Sequence, residues 1–217
     1  MRMRSFLTTY GFILASVLPA LAQQPGPPRP VGIYVSAEAG ALFQPQTAAA
    51  FGVQFGERIH RNVVAYATLS YFENVMGKDV TDSLPQLSQV LTARTGRTWD
   101  LRGRDRGVGF IAGAKYVMGQ GTARPYIGGG AGAIAIHRWI TDRVAGDVTS
   151  ATFRDFGVGD SALTTGNLTR PLVEAAIGVD LEFGRTHVDL GYRLRRTFHL
   201  SQTPSFSQGS IGLGVNF

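Results

Sequence analysis

His199, Leu200 and Ser201 set an imidazole two residues from a hydroxyl, and Asp142, Asp147, Asp155 and Asp160 lie together upstream. These are the residue types that hydrolyse a lipid ester or a peptide bond. The imidazole takes the hydroxyl proton and a carboxylate orients the ring. One histidine near one serine recurs by chance in any chain, so His199 and Ser201 are catalytic candidates without a constellation around them. Two further motifs fail on context. "GGGAG" at 128–132 imitates a dinucleotide loop with no helix after it, and "DFG" at 155–157 lacks the rest of a kinase. The chain has no cysteine, which excludes disulfides and thiolate metal sites, and the sequence calls for no metal or cofactor.

A second set of ionisable residues is larger and more regular: Glu38, Arg58, Lys115, Glu174, Asp180, Glu182, Asp189, Arg193 and Arg195. Each sits in a segment whose alternate positions are apolar, the period of a two-faced β-strand. In 32–43 the apolar row is Ile33, Val35, Ala37, Ala39, Ala41 and Phe43. In 49–60 it is Phe51, Val53, Phe55 and Ile59, and in 63–73 it is Val63, Ala65, Ala67, Leu69 and Tyr71. Segment 107–118 gives Val108, Phe110, Ala112, Ala114, Tyr116 and Met118. In 125–139, Gly128, Gly130 and Gly132 share parity with Tyr126, and a bulge near Ile134 is expected to shift the register. Segments 173–183 and 187–200 are the clearest pair. Val179, Leu181, Phe183, Val188, Leu190, Tyr192 and Leu194 face one way, the charges the other. The terminal "SQGSIGLGVNF" alternates Ile211, Leu213, Val215 and Phe217 with small and polar residues. That makes about eight strands of roughly ten residues, the length a tilted strand needs to cross a bilayer.

The connections alternate in size. Tight turns fall at 60–62, 119–124 and 184–187; long loops fall at 75–106 and 141–171, with shorter ones at 44–47 and 201–206. The polar rows also interleave long charged side chains with glycine. A solvated face has no use for glycine, whereas a narrow lumen needs the room. Both observations favour lipid outside and charge inside. If the 183–188 hairpin sets Arg193 against Gly178 and Arg195 against Ala176, Glu182 meets Asp189. Those two like charges then require a cation such as Lys115 or Arg58. The alternative orientation is a soluble periplasmic β-barrel that binds a small hydrophobic ligand.

The N-terminus carries Arg2 and Arg4, an apolar stretch from Phe6 to Leu21, and the small-residue pattern Ala20-Leu21-Ala22. This reads as a signal peptide over 1–22, followed by a proline-rich tether over 23–31 and a barrel over 32–217. The net charge is +6; without the two leader arginines it is +4, with no basic run, which argues against nucleic acid as a partner.

"RPYIGGGAGAIA" (124–135), "VEAAIGVDLEFGRTHVDLGYR" (173–193) and the terminal "GSIGLGVNF" resemble small Gram-negative outer-membrane barrels of the OmpA/OmpX type. The resemblance implies an all-β, eight-stranded antiparallel up-and-down transmembrane β-barrel with short periplasmic turns and two long external loops. It implies an outer-membrane location, contact with outer-membrane lipid and lipopolysaccharide, and a structural or surface-interaction role without an open pore. The family's last strand ends in an aromatic that resembles an insertion signal for the outer-membrane assembly machinery. Ile211, Leu213, Val215 and Phe217 match it. The family also includes lipid-modifying enzymes, so a barrel enzyme using His199 and Ser201 is the alternative. Peptidoglycan anchoring, which belongs to a further domain, is not implied for this chain.

Three smaller expectations complete the reading. Leu84, Leu87 and Leu91 have helical spacing, with Ser83 as cap, Pro85 in the first turn and Gly96 as stop, which predicts a short helix at the barrel mouth. Loop 141–171 offers no regular element, and a surface ligand would meet the protein at 75–106 and 141–171. Tyr71, Tyr116, Trp139, Tyr192 and Phe198 are candidates for aromatic girdles, and Arg196 falls on the lipid-facing row near the outer end, within reach of lipopolysaccharide phosphates.

Overall fold

A computed structural model describes residues 32–43, 47–75, 78–143, 146–148, 165–198 and 205–217. The period-two segments form antiparallel strands: β1 (Ile33–Leu42), β2 (Ala48–His60), β3 (Val63–Glu73), β4 (Leu101–Val117), β5 (Ala123–Asp142), β6 (Gly146–Val148), β7 (Gly166–Phe183), β8 (Thr186–Thr197) and β9 (Ser205–Asn216). One helix, α1 (Lys78–Thr95), lies between β3 and β4. β1 to β5 pair in sequence order, β5 pairs with β7, β7 with β8, β8 with β9 and β9 with β1, so eight strands close a ring. The three-residue β6 is added to β5 outside that ring.

The register fixes the shape. Stepping across ladder partners from Ile33 passes Glu57, Ala65, Ala114, Gly129, Ala175, Leu194 and Ser207. Ser207 then accepts a hydrogen bond from the Phe43 amide, so the path re-enters the first strand ten residues further along. For eight strands that stagger gives a tilt of about 40° and a radius of about 8 Å. Ten residues of strand then rise about 25 Å along the axis.

Alternation sorts the side chains as the period requires. Leu190, Ile177 and Leu213 are 41%, 58% and 61% exposed, whereas Arg193 and Arg195 are each 1% exposed. The outside is apolar and the inside is charged.

Several elements differ from the sequence reading. The β7–β8 turn is two residues, Gly184 and Arg185, with Gly184 at a left-handed φ of 65°. Arg193 therefore pairs with Ala176, Arg195 with Glu174, Asp180 with Asp189 and Glu182 with His187, one pair away from the expected register. β5 runs through Ile134 without a register shift, because Ile134 keeps the inward parity of Tyr126 and is wholly buried. The irregularity lies instead between Arg58 and His60 on β2. β4 begins at Leu101 and β7 at Gly166, so both long connections are shorter than expected, and 141–171 contains the regular element β6. Helix α1 starts before Ser83, leaving Pro85 inside it rather than in its first turn.

Candidate functional site

The lumen is built in layers, counted from the end that carries the tight turns. There, Arg58 on β2 reaches Glu182 on β7 at 2.8 Å, directly across the ring. Arg124 on β5 binds Asp180 at 2.8 Å and also Glu182. His187 packs edge-on against Tyr34, with ring centroids 4.8 Å apart. Apart from Arg124, these residues line, with Lys115 and Asp189, a cavity of about 230 Å³ at the turn end.

In the next layer Lys115 donates to Asp189 at 2.6 Å and sits 4.6 Å from the centroid of Tyr126, whose hydroxyl donates to the same carboxylate at 2.7 Å. This lysine and Arg124 supply the cations that the facing Asp180–Asp189 pair requires. Tyr34 donates to Gln54 at 2.6 Å, and Gln54 donates to Thr68 at 3.0 Å, which laces β1, β2 and β3 together across their inner faces.

Above them, Glu174 on β7 takes Arg195 at 2.7 Å and the Tyr66 hydroxyl at 3.0 Å, while Arg193 binds Glu38. Arg195 also donates to Gln208, and its guanidinium lies 5.0 Å from the Phe72 centroid. Arg193 Nε and Nη1 and Arg195 Nη2 have no hydrogen-bond partner among the described residues. The layer is balanced by charge more completely than by hydrogen bonds. All nine of the charged residues expected in the lumen project there, and Arg124, which the sequence reading placed in a turn, joins them. Its parity with Tyr126 is the signal that would have found it.

The inward glycines serve the aromatic rings as much as the charges. A Cβ on Gly178 would stand 2.5 Å from the Tyr126 hydroxyl and one on Gly191 2.7 Å from it; Gly113 similarly makes way for Tyr66. Tyr126 is therefore a lumen residue, 1% exposed.

Toward the opposite end the lumen turns apolar. Leu42, Ala50, Phe72, Ile134, Leu172 and Phe206 pack into one buried cluster, with Phe72 and Phe206 edge-on at 5.5 Å. Charge below and a hydrocarbon plug above leave side chains across the bore. Alternating sequence did not announce this plug, because Leu42, Ala50, Phe72 and Ile134 occupy the rows read as polar, Leu172 precedes the expected strand and Phe206 falls in an expected loop.

Beyond the plug, β4, β5 and β6 rise past the other strands, and α1 leans on their inner side. Leu84, Leu87 and Leu91 pack with Trp99, Leu101, Ile140 and Val148. Arg138 holds Asp105 at 3.1 Å beneath them, and Arg97 holds Asp142 above. The outward row of this extension is Arg102, Arg104 and Arg106.

Of the aromatic candidates, Tyr116, Tyr192 and Phe198 are exposed, and Tyr71 and Trp139 are half-buried, all on the outside. Tyr192 sits between Leu190 and Leu194 in mid-strand, away from either rim. Val179, Leu181 and Val188 are half-buried, and Phe183 and Leu194 exposed, on the same outer surface. Ile211, Leu213, Val215 and Phe217 also face outward. His199 and Ser201 lie outside the described residues, as does most of 141–171.

No protein-family model and no curated protein matches the chain. Among solved structures it is similar to Neisserial surface protein A, at 14% identity and TM-score 0.49, over 86% of this chain and 97% of that one. It is similar to Ail, the attachment invasion locus protein of Yersinia pestis, at 10% identity and TM-score 0.48, over 86% and 97%. A third likeness is to the outer membrane enzyme PagL, at 14% identity and TM-score 0.43, over 84% and 98%. The chain's own ladder pairing establishes the closed eight-stranded antiparallel barrel.

Proposed function

We propose that this chain is an integral outer-membrane barrel, exported by residues 1–22, whose role is structural or surface interaction through the loop end, without an open pore. One observation carries the reading: the polarity of the fold is inverted. The outward rows run apolar for the length of a bilayer core, while paired charges fill the inside. Only hydrocarbon outside makes that arrangement favourable. Along β4 and the residue that follows it, the outward positions from Met118 to Val108 are Met, Tyr, Ala, Ala, Phe and Val, a band about 25 Å tall at the tilt given above. The ionic lumen also offers the wrong chemistry for a small hydrophobic ligand, which speaks against the soluble alternative. In this reading the terminal Phe217 row doubles as the insertion signal.

The test is heat modifiability. Folded in detergent or bilayer, the mature chain is expected to migrate differently on a gel before and after boiling, and to resist extraction by alkaline carbonate. Identical migration in both states, or release into the soluble fraction, overturns the proposal.

A further inference from the structure

On β4 the outward row changes character abruptly. Val108 and Phe110 are 48% and 52% exposed, and the next three outward positions are Arg106, Arg104 and Arg102, all exposed. Successive members of such a row stand about 6.6 Å apart. Their ladder partners on β5 are His137, Trp139 and Thr141. The Trp139 and His137 rings meet tilted, with centroids 4.1 Å apart, and the Arg106 guanidinium lies 5.4 Å from the indole centroid. Between the two strands a hollow of about 540 Å³ is lined by Arg102, Gly103, Arg104, Arg106, Trp139 and Thr141.

The local acids leave this row cationic. Asp100 meets Arg102 at 3.3 Å in the open, and Glu73 is the ladder partner of Arg106. Arg104, in the centre, makes no ion pair among the described residues. Two strands beyond β5, Arg196 repeats the step. It follows Leu194 on the outward row of β8, ten residues from the turn, with its guanidinium 5.9 Å from Phe198. Arginine with an aromatic neighbour, placed where an apolar band ends, matches an amphiphile with phosphate above its acyl chains. The guanidinium forks take the phosphate oxygens, the indole lies at the interface, and the apolar row takes the chains.

We propose that the outward β4–β5 face above the apolar band is a binding site for a phosphorylated glycolipid of the outer leaflet, with Arg102, Arg104 and Arg106 on the phosphate and Trp139 at the level of the headgroup. This rests on the membrane reading above.

The test uses the full mature chain in phosphatidylcholine nanodiscs, titrated with bisphosphorylated lipid A and followed by Trp fluorescence and by the lipid retained per protein. Saturable binding is expected. The R102Q/R104Q/R106Q variant should weaken it by at least about tenfold, since each surface arginine contributes to attraction for anionic lipid. R61Q/R185Q, which removes two exposed charges at the turn end, should leave it unchanged. Dephosphorylated lipid A should bind poorly, and inorganic phosphate at matched concentration should not compete. The proposal is overturned by equal binding of the dephosphorylated lipid, by full competition from free phosphate, by undiminished binding in the triple variant, or by an equal loss in R61Q/R185Q. The dephosphorylated arm decides the matter on unmodified protein should the triple variant misfold. A chain that does not enter nanodiscs overturns the membrane reading as well; one that enters and shows no phosphate preference overturns only this site.

Discussion

Glu174 is the hinge of the lumen's ionic order, because Arg195, Tyr66 and the more distant Arg193 all converge on its carboxylate. Truncation to Ala strands a guanidinium that is fully enclosed, and Glu174→Ala is expected to destabilise the barrel by about 3–5 kcal/mol. The measurement is the urea midpoint of the migration shift. Arg58 sits at the turn end and its partner Glu182 also holds Arg124, so Arg58→Gln leaves no carboxylate unpaired and is expected to cost less, about 1–2 kcal/mol by the same assay. A third residue tests the role of glycine. Gly178→Val drives its side chain against the Leu190 carbonyl of the neighbouring strand as well as the Tyr126 ring, whose bond to Asp189 breaks, so a loss of about 3 kcal/mol is expected. An unchanged midpoint means that the ring has another resting place. The direction in which each charge points was legible from parity alone. That Glu182 and Asp189 need Arg58 and Lys115 was legible from their like charge; that Arg193 meets Glu38 was not, because closure of the ring and not any spacing along the chain brings those two together.

At the scale of elements, legibility followed the purity of the alternation. Residues 173–183 of β7 and 188–194 of β8 place apolar side chains at every second position and are legible as strands, whereas Asn167, Thr169 and Pro171, which open the outer row of β7, carry no such mark. The start of β4 reads "LRGRDRG", arginine alternating with glycine and aspartate, so no apolar row marks it as strand. Helix α1 was visible in Leu84, Leu87 and Leu91, but its first turn is polar and its start was placed too late. The hairpin register slipped by one pair because a two-residue turn depends on Gly184 taking a left-handed φ, which a pattern of polarity does not encode. Among the described residues, helix α1 is held by those three leucines and by Ser88, Thr92 and Thr95, whose hydroxyls accept from the Leu101 amide, the Trp99 amide and the Trp99 indole. Leu91→Asp, at a position with no exposure, is expected to release the helix and expose Arg94 to trypsin while heat-modifiable migration persists. Loss of the migration shift along with the helix shows instead that the barrel depends on it.

For the whole molecule, the plug around Phe72, Leu172 and Phe206 above the charged layers predicts a silent protein in planar bilayers: no ohmic single-channel steps, with a porin reconstituted alongside as the positive control. Regular steps in the protein's own trace refute a filled bore. The same contents bear on how the structure arises. Arg58 and Glu182 are 124 residues apart, Arg193 and Glu38 155, Tyr66 and Glu174 108. An open ribbon of strands gains nothing from such distant partners, yet it presents their naked charges to oil. Partial assemblies are thereby penalised, and the seam between the first strand and the last becomes the step at which every neutralisation arrives at once. Formation of this barrel is accordingly expected to be slow and all-or-none.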